Sequence, residues 1–241
     1  PDSSGRRVQY ATPGHYYLRC QKLWRNKLNY LILILIIIAA YFYGCISTAR
    51  VVAKTFRSLN IYKVGTGLAD TENIFVNVSR PLGVLVGLLD ILKAFLFLIL
   101  IEYLARWLNY YGIVEGADLL YNKSIMLLYG LAMLIGHCLP ITNNFKGGRG
   151  IFTYSGYLLY FVPGPMIISL IVAGFITFIW KQVRFAQYVL VILPVLLTHI
   201  FYAFIPYFRK GLPPHFIVII WAIAIIMGVL NFILSKRLGE I

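Results

Sequence analysis

The sequence contains few acidic residues and few cysteines, and both shortages limit the classes of protein to which it can belong. Only 8 Asp and Glu oppose 22 Lys and Arg in 241 residues, which leaves a net charge of +14. The three cysteines, Cys20, Cys45 and Cys138, form no CxxC pair and lack the Cys/His spacing of a zinc site. We therefore expect neither a disulfide framework nor a bound metal.

In a soluble protein, a strong excess of basic residues would suggest nucleic-acid binding. Here the Lys and Arg residues cluster at the ends of apolar segments. Basic residues in that position are typical of membrane proteins, because they contact anionic lipids and remain on the cytoplasmic side. We therefore expect membrane lipids, and no nucleic acid, as partners.

Apolar residues make up 60% of the chain, and the mean hydropathy is +0.80. A soluble domain is about half apolar, and a helix crosses a bilayer with about 20 apolar residues. The pattern predicts an all-α, polytopic helix bundle of about seven transmembrane helices, located as a multi-pass protein in the cell (inner) membrane. The predicted spans are 28–44, 82–108, 124–139, 151–161, 166–180, 188–207 and 216–234.

Two further features divide the chain. Residues 1–28 are basic and contain interleaved aromatic residues, which predicts a helix at the membrane interface or an extended, solvated segment. Residues 29–241 form the predicted membrane domain. Pro163-Gly164-Pro165 predicts a tight reversal between two spans, and Pro194 predicts a kink within the sixth.

Seven spans place two glycine-rich loops and the C-terminus on one side of the membrane. That side carries eleven Lys and Arg residues, against four on the other side outside the N-terminal segment. The positive-inside bias therefore predicts that the glycine loops face the cytoplasm.

The two glycine loops carry the residues most suited to anion chemistry. One is Val64-Gly65-Thr66-Gly67, and the other runs from His137 through Lys146-Gly147-Gly148-Arg149-Gly150. Glycines allow several backbone N–H groups to converge on one point, and Lys and Arg add positive charge there. The pattern predicts a phosphate cradle at the membrane surface. A flexible turn is the alternative for the glycines, and an ordinary buried polar residue is the alternative for His137.

Asp90 and Lys93 lie three residues apart within an apolar span. An ionised group at that depth needs a partner or an aqueous cavity, because its insertion costs about 2.5–3.5 kcal/mol. One interpretation is a structural ion pair. The other is that Lys93 binds a phosphate while Asp90 holds it in place. Gly83 and Gly87, one turn apart, favour close helix packing.

These residues resemble the bacterial integral-membrane acyl-phosphate:glycerol-3-phosphate acyltransferase family. Its third motif, Gly-His-x-x-Pro followed by Phe-Lys-Gly-Gly-Lys-Gly-Val-Ala-Thr, is matched across residues 136–153, with Arg149 in place of the second lysine. The stretch from Gly83 through Asp90 to Lys93 is similar to the second helix of the family.

The resemblance implies seven transmembrane helices and transfer of an acyl group from acyl phosphate to glycerol 3-phosphate, without metal or cofactor. It implies that His137, Thr66 and Asn73 orient the acceptor hydroxyl and the acyl carbonyl. The residues that it assigns to substrate phosphate are Gly65, Gly67, Lys93, Lys146, Gly147, Gly148, Arg149 and Gly150. Catalysis would then depend on positioning and on stabilisation of the carbonyl oxyanion.

The first glycine loop departs from the family pattern. Leu68 stands for an asparagine, Asp70 for a glycine, Glu72 for a threonine and Val76 for an arginine. The change at Val76 removes a bidentate phosphate ligand, and the two acidic residues add negative charge. Lys63, Arg80 and Arg57 are the expected partners of these carboxylates.

This departure leaves three hypotheses. The first is an acyltransferase with the family's standard substrates. The second is a non-catalytic relative that acts as a membrane subunit or lipid-binding scaffold, with membrane-protein partners. The third is an acyltransferase whose neutral or cationic acceptor contacts Asp70 and Glu72.

Overall fold

The computed structural model describes residues 13–114 and 116–239, and places side chains from residue 27 onward except at position 237. Within these ranges the chain forms ten α-helices, three short 3-10 turns and no strand. The predicted all-α membrane fold is therefore confirmed. The helices are α1 (Pro13–Gly44), α2 (Thr48–Arg57), α3 (Thr71–Asn77), α4 (Arg80–Tyr110), α5 (Lys123–Cys138), α6 (Ile151–Phe161), α7 (Pro163–Phe178), α8 (Val183–Phe204), α9 (Pro206–Lys210) and α10 (Phe216–Arg237).

Each of the seven predicted apolar segments is helical, in α1, α4, α5, α6, α7, α8 and α10. In the described part of the chain, five segments are long and apolar enough to cross a membrane: Lys27–Arg57, Arg80–Tyr110, Lys123–Asn143, Val183–Phe204 and Phe216–Lys236. The remaining two predicted spans are shorter, because α6 has 11 residues and α7 has 16. Most α6 side chains are buried inside the bundle, which explains why this helix is apolar although it is short.

The structure differs from the predicted boundaries mainly before α4. Helix α1 starts at Pro13 and continues without a break through residue 28, while residues 1–12 lie outside the described part of the chain. The division of the chain at residue 28 stays a prediction. The segment between the first two predicted spans contains α3, which Asp70 caps by accepting a hydrogen bond from the Asn73 amide at 2.9 Å.

The reversal predicted at Pro163 takes the form of a one-residue break. Val162 leaves the helical conformation with φ −137° and ψ 65°, and Pro163 then starts α7. Proline suits the first helical position because its missing N–H would have no intrahelical partner there. Pro194 lies within α8, and the Thr198 hydroxyl donates to the Pro194 carbonyl at 2.6 Å.

Glycines allow close backbone contacts at three points, two between α1 and α5 and one between α4 and α6. A Cβ added at Gly44 of α1 would collide with the Met133 carbonyl of α5, and one added at Gly136 of α5 would collide with the Tyr41 carbonyl of α1. Gly156 of α6 faces the Ile91 carbonyl of α4 in the same way. Such small-residue contacts are typical of helix packing in membranes, where apolar side chains gain little by leaving lipid.

Gly83 and Gly87 of α4 have the packing role predicted for them, although their neighbours are not another long helix. A Cβ at Gly83 would approach the Cα of Phe75 in α3 to 2.5 Å, and one at Gly87 would lie 3.1 Å from the Phe152 ring of α6. These contacts bring the short helix α3 and the start of α6 against α4.

We predict that Gly156→Leu destabilises the protein by about 1–3 kcal/mol, because the larger side chain must displace the α4 backbone. Thermal unfolding in detergent micelles would measure the change. Gly228→Leu in α10 is the matched control, since a Cβ there meets nothing within 4 Å. Equal melting temperatures for the two variants would contradict this account of the α4–α6 contact.

Candidate active site

The second glycine loop lies beside the end of α5. Gly148 lies against the residues that follow the first glycine loop, so that an added Cβ would be 2.8 Å from the Ala69 carbonyl oxygen and 3.0 Å from His137 Nε2. The Gly148 amide donates to the His137 carbonyl at 3.3 Å. The second loop therefore lies between His137 and the start of α3, and the phosphate cradle formed by both loops stays a prediction.

The side chain of Asn73 stabilises the conformation of the first glycine loop through hydrogen bonds to its backbone. Its side-chain amide donates to the carbonyls of Val64 at 2.9 Å and Leu68 at 2.8 Å. Its Oδ1 accepts from the Thr66 amide at 3.3 Å and from Asn77 Nδ2 at 3.0 Å. Asn73 is fully buried. Its hydrogen bonds therefore organise the loop backbone.

Lys93 is surrounded by protein acceptors. Its Nζ lies 3.0 Å from the Ile46 carbonyl, 3.4 Å from His137 Nδ1 and 3.5 Å from Asp90 Oδ1. Asp90 also accepts a 2.6 Å hydrogen bond from the Thr48 hydroxyl. An ammonium group has three N–H donors, and three partners surround it here. The predicted Asp90–Lys93 ion pair is therefore present, and a role of Lys93 in binding phosphate stays a prediction.

These contacts determine how His137 is oriented. The Lys93 ammonium can only donate, so His137 Nδ1 accepts, and we assign the ring proton to Nε2. The Nε2 side of the ring faces Gly148. His137 is buried and presents an N–H donor to the second glycine loop.

A second charged cluster contains the two acidic residues of the first loop. Arg149 is buried, with Nη1 2.9 Å from Glu72 Oε2 and Nε 3.4 Å from Asp70 Oδ2. Glu72 also contacts Arg184 at 2.8 Å and Gln187 at 3.0 Å. The expectation that Lys63, Arg80 and Arg57 pair with these carboxylates is therefore wrong. The partners come from the second glycine loop and from α8, which pack against α3.

Among the described residues, the two clusters contain equal numbers of opposite charges. Lys93, Arg149 and Arg184 supply three positive charges, and Asp70, Glu72 and Asp90 supply three negative charges. A phosphate group that binds Arg149 must therefore compete with carboxylates that are already in place.

Two adjacent cavities lie beside these clusters. The smaller holds about 10 Å³ and is polar, and its lining includes Asp90, His137, Arg149 and Gly150. The larger holds about 250 Å³ and is almost entirely apolar, with walls from α3, α4, α7 and α8. The residues that line both cavities are Thr71, Glu72, Phe152 and Gln187.

The polar cavity has two features that suit an anion or a carbonyl oxygen. Its lining includes Gly150, Ile151 and Phe152, which form the N-terminus of α6, where helix amides carry partial positive charge. The buried Thr71 hydroxyl lies at the junction of the cavities and has no hydrogen-bond partner among the described residues.

The structure thus groups only part of the predicted site around the polar cavity. His137, Arg149 and Gly150 line it, and Gly147 and Gly148 are buried in the adjoining loop. Lys146 and Gly65 are exposed, while Thr66 and Gly67 of the first loop and Asn73 of α3 line neither cavity. The roles assigned to these residues stay predictions.

Sequence reasoning missed Thr48, Thr71, Arg184 and Gln187. Two acidic residues close together in a basic chain indicate that some cation must be buried with them. Gln187 lies three residues after Arg184, and therefore on the same helix face. That spacing was the available signal.

The comparisons with known proteins agree with this architecture. Residues 34–235 match the model of a family described as Glycerol-3-phosphate acyltransferase. A glycerol-3-phosphate acyltransferase of Enterococcus faecalis is 28% identical over 205 residues, which cover 85% of this chain and 86% of that protein. One from Streptococcus mutans is 38% identical over 138 residues, which cover 57% of this chain and 58% of that protein.

Comparison with solved structures also finds glycerol 3-phosphate acyltransferases. The chain resembles a crystal structure of PlsY (YgiH), an integral membrane glycerol 3-phosphate acyltransferase, in its glycerol 3-phosphate form. The TM-score is 0.59 with 26% identity, and the match covers 85% of this chain and 93% of that one. The lysophosphatidic acid form of PlsY matches with a TM-score of 0.58. The multi-pass membrane location predicted from the sequence is confirmed. The resemblance inferred from the two motifs is also confirmed, and this chain belongs to the glycerol-3-phosphate acyltransferase family.

Proposed function

We propose that the chain transfers an acyl group from an acyl phosphate to a hydroxyl of glycerol 3-phosphate, which yields lysophosphatidic acid for phospholipid synthesis. The observation that carries this proposal is the junction of the two cavities. An apolar space of about 250 Å³ shares the walls formed by Thr71 and Phe152 with a small polar space beside His137 and Arg149. An acyl phosphate likewise has an apolar chain that ends in a polar, activated carbonyl group, so its two parts match the two spaces.

The reaction needs a nucleophile, a stabilised oxyanion and a leaving group. The acceptor hydroxyl oxygen attacks the acyl carbonyl carbon, and the bond from that carbon to the phosphate oxygen breaks. The electron pair leaves with phosphate, which also takes the hydroxyl proton. The carboxylates beside the cavity are already engaged in ion pairs or hydrogen bonds, so the substrate phosphate is the better base.

Stabilisation of the oxyanion is the contribution that we assign to the protein. Donors positioned toward the developing charge act strongly where water is excluded. His137 supplies an Nε2–H that Lys93 and Asp90 hold in orientation. The first turn of α6 and the Thr71 hydroxyl supply further donors at the same cavity.

Arg149 is the residue that we assign to the phosphate of glycerol 3-phosphate. Its guanidinium can bind two phosphate oxygens at once. Glu72 and Asp70 occupy it in the absence of substrate, so phosphate binding requires the carboxylates to give up part of this contact. Arg184 already contacts Glu72 at 2.8 Å and can keep that carboxylate neutralised.

The same carboxylates favour a second candidate function, in which the acceptor is neutral or cationic. Glu72 lines both cavities and Asp70 lines the polar one. An acceptor that carries an amine or only hydroxyl groups would bind there without displacing Arg149. The two candidates share the acyl donor and the oxyanion donors, and differ only in the acceptor.

His137 provides the first test. Purified protein supplied with palmitoyl phosphate and labelled glycerol 3-phosphate should form labelled lysophosphatidic acid. In His137→Ala, kcat should fall by about 10²–10³-fold, as for removal of an oxyanion donor. His137→Gln, which retains an N–H donor near the Nε2 position, should recover part of that loss.

Absence of product from the unaltered chain, with turnover by a family member in parallel, would refute the standard-substrate proposal. If His137→Gln were as inactive as His137→Ala, the assignment of His137 as a hydrogen-bond donor would be wrong.

If the acyl chain of the donor binds in the apolar cavity, the size of this cavity limits the length of the chain. Gly174 of α7 lines this cavity, and a Cβ there meets nothing within 4 Å. Gly174→Leu should fill part of the space and raise KM for palmitoyl phosphate by about tenfold, since about two methylenes lose their burial at about 0.8 kcal/mol each. KM for octanoyl phosphate should change less than about twofold on the same basis. Gly228→Leu, outside the cavity, is the control, and equal effects on both donors would refute this location for the acyl chain.

Substitution of Asp70 and Glu72 distinguishes a glycerol 3-phosphate acceptor from a neutral or cationic acceptor. Asp70→Asn with Glu72→Gln removes both charges, while the side-chain oxygen at position 70 can still cap α3. If the acceptor is glycerol 3-phosphate, its KM should fall by about tenfold, because a neutral amide competes for Arg149 less strongly than a carboxylate. An increase in acceptor KM would favour the cationic or neutral acceptor. Gln182→Glu, at the start of α8 outside both cavities, controls for a general change of charge on this side.

A further inference from the structure

A third cavity lies on the other side of the segment that joins α1 to α2. It holds about 390 Å³, and its walls come from the end of α1, the first turns of α2, Tyr62, and the 3-10 turn Ile141–Asn143. Its lining shares no residue with the two cavities of the candidate active site.

The charged groups among the described lining residues of this cavity are all positive. Arg50 and Lys54 line it from α2 and lie four residues apart, so their side chains project from the same face of the helix. Both side chains are exposed, and within the described part of the chain neither forms a hydrogen bond or an ion pair. Two neighbouring cations without a counter-ion favour an anionic ligand.

The neutral polar groups add further donors. Burial raises the pKa of the Tyr62 hydroxyl, and the nearby Arg50 opposes this only in part, so that the phenol keeps its proton at neutral pH. Thr142 contributes a second hydroxyl. A guanidinium, an ammonium and two hydroxyls form a donor set that suits a phosphate group, whose oxygens accept hydrogen bonds in several directions.

The remaining walls indicate which kind of phosphate compound fits. Phe42, Ile46 and Val51 line the cavity and are 51%, 51% and 54% exposed. Residues 28–44 of α1 span about 25 Å as a helix, close to the thickness of the hydrocarbon core of a bilayer. The cavity at the end of this stretch therefore lies near the membrane surface, with its cations beside an apolar wall.

We propose that this cavity binds the phosphate headgroup of an anionic membrane lipid, at a site separate from the one where acyl transfer is proposed. The phosphate contacts Arg50 and Lys54, and the acyl chains lie along Phe42 and Ile46. Basic pockets at the membrane surface recognise anionic headgroups in this way. Free phosphate is the other source of the same chemistry, and the experiment distinguishes the two.

The site also contacts the candidate active site through one short segment. The Ile46 carbonyl accepts the hydrogen bond from Lys93 Nζ, and the Thr48 hydroxyl donates to Asp90. Ile46 itself lines the lipid cavity. An occupied headgroup site would therefore hold in place the backbone that positions Lys93 and, through it, His137.

Binding of dioctanoyl phosphatidate to the full chain in a zwitterionic detergent tests the proposal. The double variant Arg50→Gln/Lys54→Gln should bind one lipid equivalent fewer per chain than the unaltered protein, or bind it about 10- to 30-fold more weakly. Inorganic phosphate at millimolar concentration should not displace the lipid. Tyr62→Phe, which removes a single donor, should weaken binding by a smaller factor and gives a second measurement.

Arg57→Gln/Lys63→Gln is the matched control, because it removes the same charge from the same region without altering the cavity lining. Binding by this control should stay within about twofold of the unaltered protein. Equal losses in both double variants would show a general surface attraction and overturn the proposal. Absence of any phosphatidate binding, or its displacement by inorganic phosphate, would likewise overturn the assignment to a lipid.

Discussion

The pairing of buried charges is the constraint on which the site depends. An unpaired ionised group is costly at membrane depth, and here each carboxylate and each cation of the two clusters has a partner. Lys93 connects Asp90 to His137 and to the segment after α1, while Glu72 connects α3 to the second glycine loop and to α8. These two sets of contacts hold separate pieces of the chain around one small polar cavity. Charge pairing therefore fixes the relative positions of the segments around this cavity, which the packing of apolar helices alone would not determine.

The same constraint explains why the first glycine loop tolerates acidic residues in place of the family's neutral ones. Asp70 caps α3 with one carboxylate oxygen and approaches Arg149 with the other. Glu72 is shared between Arg149 and Arg184. Asp70 and Glu72 therefore form contacts that help to hold α3, the second glycine loop and α8 together. In the reaction that we propose, their effect depends on how readily Arg149 exchanges a carboxylate for a substrate phosphate.

Much of the fold was accessible from sequence because lipid requires long apolar helices whose ends are marked by Pro, Gly and basic residues. The boundaries of α5, α6 and α10 lie within three residues of their predicted positions. The third motif also located His137 and Arg149 at the polar cavity. Helix α3 was missed because its seven residues are too few for a periodic apolar pattern, and its N-cap depends on Asp70, a residue that was assessed only for its charge.

The contacts between distant residues were the part that sequence could not supply. Arg149 and Glu72 are separated by 77 positions, and Gln187 and Glu72 by 115. Such pairs follow from how α8 and the second loop pack against α3, which no local pattern encodes. The structural role of Asn73 could not be predicted for a similar reason. Its side chain donates hydrogen bonds to the carbonyls of residues 64 and 68, and these contacts depend on how the loop folds around it.

The single non-helical residue Val162 connects the two cavities of the candidate site. It joins α6, whose first turn borders the polar cavity, to α7, which forms one wall of the apolar cavity. Because no other loop residue lies at this joint, an inserted residue would change the position of α7 relative to α6, and with it the contribution of Ala173 and Gly174 to the apolar wall. A change of length at this one position would therefore alter the cavity in which we propose that the acyl chain binds, and leave the first turn of α6 at the polar cavity.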